Sequence, residues 1–230
     1  MRSTRITGGG AIVLAIAFNV PFSILASIYD YPDILRRPAG EALDRFAAGG
    51  PALILTWYGF ALAAMALVPM TIALSVTRER IAARPALAIG AAVIGALAGL
   101  AQAIGLLRWV FVIPGLAHAH VAGTPEAQAA AERAFDLLNA YGGVAIGEHL
   151  GQLLTALFVG QLAALQYGER ARITAGIGFA TALTLVAGTG EGLALSLGAD
   201  GSGFAMATIA GFMGLTLWLI ATGVGLIRKG

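Results

Sequence analysis

Arg108, Glu148 and Glu191 stand in stretches of sequence that are otherwise almost wholly apolar. A guanidinium fork matches a carboxylate, and a pair costs less in an apolar medium than two isolated charges, so these residue types predict pairing. His149 follows Glu148 directly, and His118-x-His120 adds two imidazoles upstream. Histidines beside carboxylates suit zinc hydrolysis, which needs three protein ligands and an open position for water. No HExxH, HxxEH or GxSxG pattern occurs, and no glycine-rich loop follows a strand pattern. His-x-His alone is a weak motif. A bis-histidine haem needs ligands on facing helices, and of the three histidines His149 alone lies clearly within an apolar segment. There is no cysteine, which excludes disulfides, thiolate metal ligands, covalently attached haem and cysteine nucleophiles.

The surroundings of these residues decide what kind of element positions them. The chain is 58% hydrophobic and 11% charged, with a mean hydropathy of +0.84. Soluble chains carry about a quarter charged residues, so this is the composition of a membrane protein. The apolar residues fall in blocks of about 20, long enough to cross roughly 30 Å of hydrocarbon as helices; a membrane barrel would show short alternating segments instead. The predicted class is all-α, a polytopic membrane protein forming one domain over 1–230, with spans at about 9–28, 51–76, 85–113, 143–167, 174–198 and 204–227. The first block reads as a retained helix and not a cleaved signal, because it stays apolar through Pro21 to Ile28.

Charge distribution predicts the orientation. Arg2, Arg5, Arg78, Arg80, Arg84, Arg170, Arg172, Arg228 and Lys229 share one side with only Glu79 and Glu169. The other side sets Arg36, Arg37, Arg45 and Arg133 against eight carboxylates. The positive-inside rule places both termini in the cytoplasm. A net charge of +2 and a pI near 9.3 fit that arrangement and call for no nucleic-acid partner. Two outer connections carry helix signals: Pro38 before an acidic turn with Gly49-Gly50 as a stop, and Thr124-Pro125 as a cap with Gly142-Gly143 as a stop. They predict two short outer-surface amphipathic helices, the second with Ala127, Ala131, Ala134, Phe135 and Leu138 on one face.

With this topology Arg108, Glu148 and Glu191 share a level, roughly 7–11 Å below the outer boundary. Trp57, Tyr58 and Trp109 belong to the same layer. On an α-helical wheel Glu148, Gln152 and Thr155 form one stripe, and Gly143, Gly147 and Gly151 form another suited to close helix contact, within the bundle or in an oligomer. His149 projects about 100° away from Glu148 on that wheel, so the two are not a bidentate unit. The glycines around Glu191 read as small-residue packing, with a locally unwound helix as the alternative.

The blocks "RPAGEALDRFAAGGPALILTWYGFALAAMALVP", "GLAQAIGLLRWVFVIPGLA" and "GGVAIGEHLGQLLTALF" resemble those of an uncharacterised family of bacterial multi-pass membrane proteins known only as a domain of unknown function. The likeness is strong over about 30–165 and loose over the last two spans; Arg108-Trp109 and the run Gly147 to Gln152 are its most specific parts. It implies a bacterial inner-membrane location and supplies no activity. The residues themselves predict a polar pocket in the outer half of the bundle, built from Arg108, Glu148, Gln152, Glu191, Trp57, Tyr58, Trp109 and His149. It would bind a small amphiphile or lipid, with membrane lipids as the remaining partners; the sequence leaves any cofactor unknown and itself calls for none. The alternatives are a metal-dependent hydrolase using His118, His120 and His149, and a proton-coupled transporter.

Overall fold

Inside a bilayer every backbone N–H and C=O must be bonded within the protein, so an apolar block of this length resolves as a helix. The computed structural model describes residues 2–229, with side chains from Thr4 onward, and its regular elements are all helical. They are α1 (Arg2–Tyr29), α2 (Ala39–Ser75), α3 (Arg78–Ala83), α4 (Pro85–Phe111), α5 (Ile113–Ala122), α6 (Pro125–Leu138), α7 (Gly151–Gly168), α8 (Arg172–Gly188), α9 (Gly190–Ser196) and α10 (Ser202–Lys229). A 3-10 turn, Asp33–Arg36, joins α1 to α2, and a π-helical segment, Asn139–Leu150, runs from α6 into α7. Six helical stretches are long and apolar enough to cross a membrane: Thr4–Tyr29, Ala39–Ser75, Pro85–Ala122, Pro125–Gly168, Arg172–Ser196 and Ser202–Lys229.

The spanning helices form a closed ring in chain order: α1 lies beside α2, α2 beside α4, α4 beside α7, α7 beside α8 and α8 beside α10, which returns to α1. At that last contact the backbones nearly touch, since a Cβ on Gly8 would lie 2.6 Å from the Gly223 carbonyl oxygen. The ring is filled at both levels. Toward the termini, Leu67, Phe158, Leu162 and Trp218 form a core, where Trp218 Nε1 donates to Gln166 Oε1 (3.1 Å) and Gln166 Nε2 to Thr222 Oγ1 (3.0 Å). At the opposite, distal end, Tyr29, Ile34, Phe46, Trp57, Trp109 and Phe135 form the other.

The helix signals on the connections resolve in different ways. Gly50 bends α2 in a left-handed conformation (φ 57°), and Pro51 opens the spanning part after it. Thr124 Oγ1 accepts from the Ala127 N–H (3.4 Å) and caps α6 as its sequence predicts. Gly142-Gly143 is not a stop. The chain continues helically through it as a π-helix, because here glycine serves close packing: a Cβ on Gly105 of α4 would lie 2.7 Å from Gly147 Cα. α5 is an element additional to the six predicted spans and two predicted outer helices, set off from α4 at Val112 with Pro114 in its first turn. Of the predicted apolar face of α6, Ala131 and Phe135 are buried in the distal core, whereas Ala134 is exposed.

Candidate functional site

Glu148 lies on the π-helical segment and Glu191 on α9, and both meet the connection between α1 and α2. Arg36, the last residue of the 3-10 turn, inserts its guanidinium between them. Its Nη2 donates to Glu148 Oε2 (2.5 Å) and to Glu191 Oε1 (2.9 Å), and its Nε to the same Glu191 oxygen (3.1 Å). The turn is fixed from beneath. Ile34 and Leu35 are buried, and Asn139 Nδ2 donates to the Leu35 carbonyl (3.1 Å). Arg36 keeps 29% of its side chain exposed, Glu148 30% and Glu191 16%. Burial opposes the Arg36 charge, but the two carboxylates outweigh it and hold the guanidinium pKa above its ordinary value. Tyr31 of the same connection has its hydroxyl pKa raised, chiefly by burial and further by Glu148. Glu148 Oε1 is buried without a hydrogen-bond partner.

Arg108 does not pair with either glutamate, contrary to the expectation. It is buried, donates from Nη1 to the Gly105 carbonyl and from Nη2 to Asn139 Oδ1 (3.1 Å), and lies 5.1 Å from the Trp109 ring centroid. Its charge acts on Glu148 through space, while its hydrogen-bonding fork is taken up by its own helix and by Asn139. Glycine at position 143 makes the room, since a Cβ there would sit 2.5 Å from Arg108 Nη2. Asn139 therefore joins the Arg108 position to the Arg36 turn.

The other predicted site residues separate. Trp57 and Trp109 are buried in the distal aromatic core, but Tyr58 is 41% exposed and faces outward. Gln152 turns away from Glu148 and donates to the Leu185 carbonyl (2.9 Å) and Thr208 Oγ1 (3.1 Å). Thr155 instead accepts from Gln102 Nε2 (2.7 Å). The α-helical stripe of Glu148, Gln152 and Thr155 fails because Glu148 belongs to a π-helix, whose i→i+5 bonding shifts the register against α7. His149 does diverge from Glu148, and its Nδ1 lies 3.0 Å from the Thr189 carbonyl.

The histidines of the hydrolase reading do not converge. His118 is exposed, and His120 points between Asp44 Oδ1 (3.3 Å) and Glu132 Oε1 (3.5 Å), because residues i and i+2 of the helix α5 face apart. Among the described residues no group of three or more His, Asp or Glu is placed to hold a metal. Gly143, Gly147 and Gly151 all face α4, against Arg108, Gly105 and Gln102, so their close approach is made inside the bundle. Gly188, Gly190 and Gly192 likewise pack on Thr208, Phe204 and Val144, with a single-residue turn at Thr189 between α8 and α9.

Arg36 is the residue that sequence reasoning missed. Its signal was the Ile34-Leu35 pair just before it, two large apolar side chains in a charged connection, which predict that the turn folds back onto the bundle. The arrangement can hold a positive charge between two carboxylates. A family model described as a domain of unknown function (DUF4386) matches residues 6–223. No curated protein and no solved structure matches the chain.

Proposed function

The chain belongs to the DUF4386 family, and from that premise we propose that this multi-pass membrane protein binds a small amphiphilic or lipid molecule at its distal polar layer. One observation carries the reading: carboxylates from two separate elements converge on Arg36, and one of their oxygens is left buried and unpartnered. A buried polar group without a partner costs about 1–3 kcal/mol, and a ligand that satisfies it recovers that amount. At the same end of the bundle, Val112, Leu116, Leu138 and Tyr141 line an apolar groove suited to a hydrocarbon chain. The location proposed with it is the bacterial inner membrane with both termini cytoplasmic, which sets the polar layer in the outer half. The nine basic residues on the terminal side support that orientation.

Native mass spectrometry of protein extracted in a neutral detergent tests the binding. A retained small molecule or lipid, lost in a Glu148→Gln/Glu191→Gln variant, is the expected result; equal retention by both proteins overturns it. Reporter fusions test the orientation, and an external C-terminus overturns that part.

A further inference from the structure

Arg36 differs from the other charged groups of the layer in what holds it. Arg108 is buried, bonded to its own helix and to Asn139, and cannot leave without breaking the junction of α4 with the π-helical segment. Arg36 reaches the carboxylates from an exposed edge, and the anchors of its turn are Ile34, Leu35 and the Leu35 carbonyl. The burial of Ile34 and Leu35 and the Asn139 bond hold the turn by contacts other than the ion pairs of the Arg36 guanidinium. The hold of that guanidinium is also incomplete. Nη2 is shared between both glutamates, Nε repeats on the Glu191 oxygen already used, Nη1 makes only a long bond to the Leu35 carbonyl (3.4 Å), and Glu148 Oε1 gets nothing.

Charge balance then selects the ligand. With Arg36 in place the layer holds two guanidinium groups, Arg36 and Arg108, and two carboxylates. With Arg36 withdrawn, Glu148 and Glu191 lose their shared ion-pair partner, Arg108 acts on Glu148 only through space, and the two carboxylates and one guanidinium leave a deficit of one positive charge. An anionic head entering that seat would add to the imbalance, and a neutral one would leave it uncorrected.

Resting on the amphiphile-binding reading, we infer that the Arg36 guanidinium is an autoinhibitory stand-in for the cationic head of the ligand, and that a cationic amphiphile displaces it to bind between Glu148 and Glu191. Arg36 thereby sets an affinity threshold, because the seat is competent only in the fraction of molecules whose arm has swung out.

The test uses the full chain in lipid nanodiscs, titrated with octylguanidinium, octyl phosphate and octyl glucoside as cationic, anionic and neutral probes. Arg36→Ala is expected to bind octylguanidinium about tenfold more tightly than the unmodified protein, since the competing arm is gone. Arg36→Lys, which keeps the charge but loses the planar fork, is expected to fall between the two, and it carries the test if Arg36→Ala does not fold. Adding Glu148→Gln and Glu191→Gln to either variant should abolish the gain. Octyl phosphate and octyl glucoside should show no gain in any variant. Equal gains for all three probes, or no gain with octylguanidinium, overturn the stand-in while leaving amphiphile binding intact. Failure of every probe to bind any variant, joined to an empty native mass spectrum, removes both.

Discussion

Trp57 of α2 and Trp109 of α4 lie face to face, with ring centroids 4.8 Å apart and planes 8° from parallel. Tyr29 of α1 closes the arrangement edge-on, 6.2 Å from Trp57 and 5.5 Å from Trp109, so three spanning helices meet through three rings. Such pairs contribute about 0.5–1.5 kcal/mol beyond the area they bury. Trp57→Ala leaves a cavity that the stacked ring cannot fill, and thermal unfolding in detergent should show a loss of about 3–5 kcal/mol. Tyr58→Phe, one residue on but facing outward, should stay within about 0.5 kcal/mol of the unmodified protein.

The crossing of α4 with the π-helical segment has no room for a methyl group. A Cβ on Gly105 would meet Gly147 Cα at 2.7 Å, and a backbone atom cannot move aside as a side chain can. Gly105→Ala should therefore cost about 1–3 kcal/mol in the same unfolding measurement. Gly115→Ala, where an added Cβ meets nothing within 4 Å, should not be destabilising.

Gln166 is a two-way hydrogen-bonding hub in the terminal-side core, accepting from Trp218 and donating to Thr222. Gln166→Leu strands the indole N–H and should lower stability by about 1–3 kcal/mol. Gln166→Glu retains an acceptor for Trp218 but places a carboxyl beside the Thr222 oxygen; a smaller loss at low pH, where that carboxyl can donate, than at neutral pH would confirm the geometry.

Asp200 governs the start of α10. Its carboxylate accepts from the Ser202 N–H and hydroxyl, both at 2.9 Å, and these bonds hold its pKa below the ordinary carboxylate value of 3.8. A pKa depressed by folding stabilises above the unfolded value and loses that stabilisation as pH falls through the folded one. Hydrogen exchange at the Ser202 amide should accordingly stay protected down to the ordinary carboxylate range and lose protection below it. In an Asp200→Ala variant that pH step should vanish.

Hydropathy makes the spans legible, because an uncharged block of this length has only one way to satisfy its backbone in lipid. The boundary at Pro85 and the break at Gly50-Pro51 are readable because proline and glycine act there through local geometry. The register of Glu148 is not readable. A π-helix has no local residue signature, so Glu148 and Gln152 looked like one face until the widened turn parted them. Arg36 was hidden for a different reason. In "DILRRPAGEALDR" every charge has an opposite neighbour, and local pairing explains it, as Arg37 with Asp30 and Glu41 shows. That Arg36 looks elsewhere, to residues 112 and 155 positions away, is a tertiary fact.

The ring closes where it began, and that arrangement suits assembly in chain order. Each lateral neighbour of a spanning helix is the next one in the chain, so successive hairpins can dock as they are inserted. The flank of α1 that carries Gly8 is the exception, because its partner is the last helix made. Until α10 arrives this flank has no protein against it. A chain truncated before Ser202 would be five docked helices with the seam unzipped, open to whatever small-residue surface the membrane offers.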